Sequence, residues 1–316
     1  MRILITGISG FIGFHLASFL RAKGIQTAGT ILKSTTPQGI ASLLPRIELY
    51  ECDLTSFENV QQVIHEIELD GVFHLAAQSS VRRSLEDPIT TFSVNFGGTL
   101  NLLEALRAAQ RTPKVVFISS AEVYGGVRQE DLPVNEEQPS RPLNPYGASK
   151  AAAELLCYQY WRAFGIPVVI ARAFNQIGPR QAPDFVISSW AKQIAEIEAN
   201  ERLPLIDVGN IEVERDFLDV RDVVEAYWQL FLKGTPGEVY NICSGKPVLL
   251  REVLQKMLSL SKKDIQYQVS PSLLRSVEIK RIWGNPGKFN SISGWEPKYS
   301  LEDTLSSILN WWRSHL

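Results

Sequence analysis

Short apolar runs alternate with amphipathic stretches through the first half of the chain. RILITG is an apolar run closed by glycine. FIGFHLASFLRAKG follows it, with Phe11, Ile12, Leu16 and Leu20 at helical spacing and Gly24 as the stop. Further apolar runs are IQTAGTI, RIELYECDL, GVFHLAA, KVVFISS and PVVIARAF, most of them trailed by a helical stretch. Near-continuous apolar strands separated by helices predict an α/β fold, a doubly wound parallel sheet covered on both faces. After Phe174 the pattern is less regular. DFVISSWAKQIAEIEAN reads as a helix, RDFLDV and VYNICSG as short strands, and SLEDTLSSILNWWRSHL as a closing helix. Ser300 precedes that helix, and Glu302 and Asp303 lie in its first turn, where carboxylates suit the helix dipole. We therefore expect one domain over residues 1–174, with about 213–245 returning to its sheet. Residues 175–212 and 246–316 are expected to form a smaller discontinuous lobe.

A chain of 316 residues with 45% hydrophobic content has room for such a domain and lobe. Its 32 Lys and Arg against 34 Asp and Glu leave a formal charge of -2. A balanced surface gives no reason to expect nucleic acid or an anionic membrane as partner. A phosphate-bearing ligand must then be held by local cations and backbone amides. The first residues already read as a strand, which leaves no room for a signal peptide, and no apolar run reaches membrane-spanning length. Cys52, Cys157 and Cys243 are an odd number without metal-ligand spacing. They suit a reducing compartment, and a cytoplasmic protein without a metal is expected.

ITGISGFIG places Gly7, Gly10 and Gly13 between the first strand and the first helix, with Phe11 and Ile12 at the junction. A tight turn there lets the backbone approach a pyrophosphate, and the helix start supplies oriented N–H groups. An acid about 20 residues further on would bind the ribose hydroxyls of NAD. TAGTILKSTT holds none before Glu48. Lys33 with Ser34 could instead meet a 2′-phosphate, or Lys33 could be a solvated loop lysine. NADP(H) is favoured, and NAD(H) stays open.

NPYGASK sets Tyr146 and Lys150 four residues apart, on one face of a helix. A nearby ammonium would favour the phenolate and lower the tyrosine's pKa, so that it could exchange a proton near neutral pH.

The G-x-x-G-x-x-G spacing, this Tyr/Lys pair and the serines closing KVVFISS make the chain resemble the extended short-chain dehydrogenase/reductase family. The resemblance implies a Rossmann-type sheet and a triad of Ser120, Tyr146 and Lys150. Ser120 lies four residues before the Tyr of VYG, whereas Ser119 is expected to bond backbone at the strand end. The resemblance also implies that Asp53 and Leu54 lie against the adenine. Leu75, Ala76 and Ala77 in HLAAQSS would pass under the cofactor, and Ser79 would reach the substrate side.

The second half resembles the nucleotide-sugar enzymes of that family, and within it the group acting on GDP-mannose and GDP-4-keto-6-deoxy-mannose. ARAFNQIGPRQAPDFVISSWAKQIAEIE carries the likeness. It implies that Asn175 bonds a substrate phosphate, that Phe185 and Val186 border the base, and that Lys192 approaches the base or diphosphate. Helix core is the alternative for Phe185 and Val186. Arg215, before DFLDV, matches a diphosphate clamp, which its planar donor fork suits. Arg275 matches a second clamp, and Glu278 would touch the nucleotide ribose. A surface ion pair is the alternative for both arginines. The group's usual Arg-Pro is Arg275-Ser276 here, and its Gly-Asp is Gly284-Asn285.

The reaction favoured is reduction of a 4-keto group on a nucleotide-diphosphate 4-keto-6-deoxyhexose. The runner-up is a 4,6-dehydratase with Glu122 as base. In Ser120-Ala121-Glu122 that base position is filled, but a methyl group stands where the dehydratases carry a polar residue. A 4-epimerase is third, and a non-catalytic dinucleotide sensor is the reading from another class. The resemblance further implies a homodimer through the helices around 94–109 and 147–164.

Overall fold

The computed structural model describes residues 1–33, 47–274 and 278–316. In the first half β1 (Arg2–Thr6), α1 (Phe11–Ala22), β2 (Gln26–Ile31), β3 (Glu48–Glu51), α2 (Phe57–Glu66) and β4 (Gly71–His74) follow one another. Then come α3 (Val81–Glu86), α4 (Pro88–Phe92), α5 (Gly98–Ala108), β5 (Lys114–Ser120), α6 (Pro145–Phe164) and β6 (Val168–Ala173). The second half adds β7 (Asn175–Ile177), α7 (Val186–Glu198), β8 (Leu205–Val208), β9 (Glu214–Asp219), α8 (Val220–Lys233) and β10 (Val239–Ile242). It closes with β11 (Pro247–Leu249), α9 (Leu250–Ser259), β12 (Gln266–Val269), β13 (Arg281–Ile282), α10 (Gly287–Ser293) and α11 (Leu301–Arg313).

Seven strands form one parallel sheet in the order β3-β2-β1-β4-β5-β6-β10. This is the Rossmann-type α/β fold that the apolar runs predict. Both faces of its strands are buried, with Ile3 and Ile5 on one side and Leu4 on the other. The first face packs under α1, α8 and α10, and the second under α2, α5 and α6. The strand order reverses between β1 and β4, so the loops after these strands open a crevice at their carboxyl ends, where ligands of such sheets bind.

Of the span 213–245, β10 joins the large sheet. β9 instead lies in a second sheet, parallel to β7 and β13 and antiparallel to β11. A third apolar core gathers α7, α9 and α11 around Trp190, Ile194, Leu254 and Ile308.

Local chemistry sets the helix ends that matter for the site. α6 starts at Asn144, whose Oδ1 accepts the Gly147 N–H at 2.8 Å, and Pro145 occupies the first helical position. Gly165, at φ 72°, ends it in the left-handed conformation. Ser300 caps α11 as expected, accepting the Asp303 N–H at 3.1 Å.

Candidate active site

The glycine loop joins β1 to α1. Gly7 has φ +68°, and a Cβ there would come within 2.9 Å of the Ala76 Cα. A Cβ at Gly13 would meet the Gly7 carbonyl oxygen at 2.4 Å, so α1 can sit this close to the loop only as glycine. No side chain caps α1 at Gly10, which leaves its first N–H groups for an anion. These features fit a dinucleotide pyrophosphate. Leu75, Ala76 and Ala77 follow β4 beside the loop, and all three are half-buried. Leu54 is buried under α5 with its Cβ against Gly98, and Asp53 caps its own turn by accepting from the Thr55 N–H at 2.9 Å. Lys33 is exposed just past β2. Ser34 and Arg275 lie outside the described residues.

Ser120 closes β5, and its Oγ accepts the Glu122 N–H at 3.1 Å in the turn that follows. Tyr146 and Lys150 stand in the first turns of α6. Burial pushes the Tyr146 phenol up to about 12; hydrogen bonding with Ser120 opposes this, and the Glu122 charge adds to it. The expectation of a phenol lowered by its lysine is thus corrected. A phenolate loses its hydration here, and that cost outweighs what the neighbouring donors return. Lys150 is itself pushed down to about 8 by burial, with Glu154 and Cys157 acting the other way. Its Nζ donates to the Ile118 carbonyl at 2.7 Å and lies 4.9 Å from the centre of the Phe117 ring.

Ser119 is a second correction. Its hydroxyl does not bond backbone but donates to Glu154 Oε1 at 2.5 Å. Glu154, one turn past Lys150, is also bound by Arg172 of β6 through Nη2 at 2.7 Å and Nε at 3.0 Å. Both ends of this ion pair are buried.

Glu122 lines a small pocket with Val81, Leu85, Leu143, Asn144, Arg215 and Ile279. Asn144 Nδ2 donates to its Oε2 at 2.7 Å. The structure thus brings Arg215 of β9 to the same pocket as Glu122, although 93 positions (215 − 122) separate them. Arg215 Nη1 donates to the Glu214 carbonyl at 2.9 Å. Asn175 donates to the Asp216 carbonyl at 3.0 Å. Phe185 is the residue before α7 and is half-buried, while Val186 is exposed and so is not helix core. Lys192 pairs with Glu196 on α7 at 3.0 Å, and Ser79 is exposed. Glu278 accepts from Asn210 Nδ2 at 2.6 Å. Asn210 belongs to a second cavity of about 320 Å³, lined also by Ile211, Arg251, Tyr267, Val269 and Leu274.

Sequence reading missed a buried polar chain beneath the crevice. Thr6 Oγ1 accepts from the N–H groups of Leu75 at 3.1 Å and Ala76 at 3.2 Å, and lies 2.8 Å from His74 Nδ1. His74 Nε2 is 3.0 Å from Thr99 Oγ1, whose own proton goes to the Asn95 carbonyl at 2.6 Å. Thr99 can therefore only accept from His74, which places the ring proton on Nε2. Burial, helped by the Lys150 charge, pushes His74 down to about 3, so the ring is neutral. Asn95 then donates to Ser149 Oγ at 2.9 Å, and Ser149 donates to the Tyr146 carbonyl at 2.8 Å. The chain ties the strand of the glycine loop to the helix of Tyr146. The residues were visible as scattered hydroxyls and amides, but nothing in their spacing pairs them.

The family model described as GDP-mannose 4,6 dehydratase matches residues 4–308. A GDP-6-deoxy-D-mannose reductase of Pseudomonas aeruginosa is 37% identical over 315 residues, covering 100% of this chain and 98% of the relative. Among solved structures, RMD from Pseudomonas aeruginosa complexed with NADPH superposes with a TM-score of 0.86 at 36% identity, over 100% of this chain and 99% of that one. A UDP-glucose 4-epimerase from Thermus thermophilus in complex with NAD gives 0.89 at 31% identity, over 100% of both chains. The cofactor class shared with these structures is a nicotinamide dinucleotide, which the cradle around Gly7 fits. With its fold, its glycine loop and its full-length likeness, this chain belongs to the GDP-mannose 4,6 dehydratase family.

Proposed function

We propose that this protein reduces the 4-keto group of a GDP-linked 4-keto-6-deoxyhexose, with NADPH as preferred reductant. The observation that carries the reading is the half-buried Tyr146 phenol, hydrogen-bonded with Ser120 and pushed toward its protonated form. Reduction of a ketone needs a proton donor at the oxygen. The full-length similarity to a relative named as a GDP-6-deoxy-D-mannose reductase supports the substrate.

In this reading the sugar's carbonyl oxygen sits between Ser120 and Tyr146. A bound nicotinamide cofactor would supply the hydride for C4. Tyr146 gives its proton to the oxygen as the alkoxide develops, and Ser120 stabilises the same charge. Lys150 holds the nicotinamide ribose and the proton path behind the tyrosine. Gly7, Gly10, Phe11, Ile12 and Gly13 receive the pyrophosphate, Lys33 the 2′-phosphate, and Asp53 with Leu54 the adenine. Leu75, Ala76 and Ala77 would lie under the cofactor. The nucleotide-sugar lobe of residues 175–212 and 246–316 supplies Asn175, Phe185, Val186, Lys192, Arg275 and Glu278. Arg215 and Ser79 complete the substrate's contacts.

The three described cysteines are free and buried, which supports a reducing, cytoplasmic setting. Among the described residues no helix is long and apolar enough to cross a membrane. We also assign a homodimer. Leu155 and Tyr158 on α6 are 74% and 51% exposed, and Ile89 on the adjoining α4 is 82% exposed. Three large apolar groups on neighbouring helices suit a twofold contact. A monomeric mass by light scattering at micromolar concentration overturns this.

The activity test is incubation with GDP-4-keto-6-deoxy-mannose and NADPH, and separately with GDP-mannose alone. Oxidation of NADPH by the keto sugar, absent in Tyr146→Phe, is expected. Loss of water from GDP-mannose without added cofactor would make the protein a dehydratase instead.

A further inference from the structure

We propose that Asn144 is a positioning residue that clamps the Glu122 carboxylate to the start of α6, making Glu122 a fixed charged neighbour of Tyr146 and not a mobile proton acceptor. The inference rests on the reductive reading above. Asn144 uses both ends of its amide. Its Oδ1 accepts the Gly147 N–H at 2.8 Å and caps the helix that carries Tyr146. Its Nδ2 donates to Glu122 Oε2 at 2.7 Å. The backbones meet as well, since a Cβ on Gly147 would come within 2.5 Å of the Glu122 carbonyl oxygen. The turn after β5 and the first turn of α6 therefore move as one unit, with Glu122 between them.

A carboxylate that serves as base must turn toward its proton and accept it. One bound by an amide donor is held in one orientation. Its negative charge opposes ionisation of the phenol, which keeps Tyr146 in the form that can give up a proton. The other groups facing this cluster are Ser120 from the end of β5, Arg215 from β9 and Tyr227 from α8, while Lys150, one turn on along α6, turns its Nζ to the Ile118 carbonyl. Burial is the main force that favours the phenol, and the anion of Glu122 is the charge that adds to it. Ser120 and Tyr227 bring no charge near neutral pH.

The test compares Asn144→Ser, Glu122→Gln and the double variant. Serine caps a helix as well as asparagine does, so Asn144→Ser keeps α6 and loses only the amide donor. In NADPH oxidation by the keto sugar, the alkaline limb of the kcat profile reports ionisation of the proton donor. Glu122→Gln is expected to move that limb to lower pH by ~1 unit, the effect of losing one nearby charge, and Asn144→Ser, which leaves the charge but frees it, to move it the same way by less. The double variant should match Glu122→Gln alone. The phenolate of Tyr146, read by ultraviolet difference titration against Tyr146→Phe, should shift in the same direction and does not depend on turnover. A profile and titration for Asn144→Ser that superimpose on wild type overturn the clamp, even if its Tm falls, and so does a double variant in which the shifts add. Failure of the wild-type protein to oxidise NADPH would instead remove the functional reading, and the phenolate titration would still decide the clamp.

Discussion

Replacing Arg172 by methionine tests the ion pair buried beneath the site. Glu154 accepts from Arg172 Nη2 at 2.7 Å, from Nε at 3.0 and 3.2 Å, and from the Ser119 hydroxyl at 2.5 Å. The guanidinium also reaches the Glu136 carbonyl at 3.2 Å and stacks 4.7 Å from the centre of the Tyr124 ring. Burial alone would lower the arginine's pKa, but the bonds to Glu154 reverse the sign and raise it. Methionine can fill the stem and cover Tyr124, yet it leaves Glu154 buried without its cation. Breaking one partner of such a pair costs about 3–5 kcal/mol. For a chain of this size that is a fall in Tm of roughly 5–8 °C. Arg172→Met combined with Glu154→Leu removes both charges and should regain most of the loss. Thermal unfolding followed by circular dichroism, with urea midpoints as a second measure, gives both numbers. Turnover should fall in the single variant too, because Glu154 is one turn from Lys150 and Ser119 adjoins Ser120. A single variant within ~1 kcal/mol of wild type, or a double variant as unstable as the two singles summed, would refute the reasoning.

Three further outcomes follow from the same geometry. His74 is pushed down to about 3 from an ordinary 6.5, so between those values the unfolded chain binds a proton that the folded one does not. Its contribution to stability is intact above 6.5 and is lost as the pH falls toward 3; urea midpoints of His74→Asn should therefore fall less steeply with acid than wild type, and equal slopes would contradict this. Gly7→Ala puts a methyl group within 2.9 Å of the Ala76 Cα at φ +68°, so NADPH affinity by fluorescence titration should drop at least ~10-fold, with ~1–2 kcal/mol of stability lost to the left-handed conformation. Lys150 is pushed down to about 8 from an ordinary 10.5, so stability should rise with pH across that window in wild type and stay flatter in Lys150→Met, up to the alkaline range where Tyr146 and other tyrosines begin to ionise.

The sequence alone determined whatever is written in near neighbours. Apolar runs alternating with helical stripes sufficed for a parallel sheet, because a strand buried on both faces needs no polar alternation. Gly7, Gly10 and Gly13 were legible as a tight strand-to-helix turn, and Tyr146 with Lys150 as one face of a helix, because those relations span a few residues of regular backbone. Ser300 was legible as a cap for the same reason. The tertiary structure decided what depends on partners brought together from far along the chain. It raised the Tyr146 phenol above its ordinary value, since burial outweighs the hydrogen bond with Ser120. It turned Ser119 away from the backbone toward Glu154, and it placed β9 in the second sheet, bringing Arg215 to the pocket of Glu122. Thr6, His74, Thr99, Asn95 and Ser149 became one hydrogen-bonded chain, and Asn144 reached Glu122 across 22 positions of sequence. Such pairings follow from strand order and helix packing, which fix distances that no local pattern encodes.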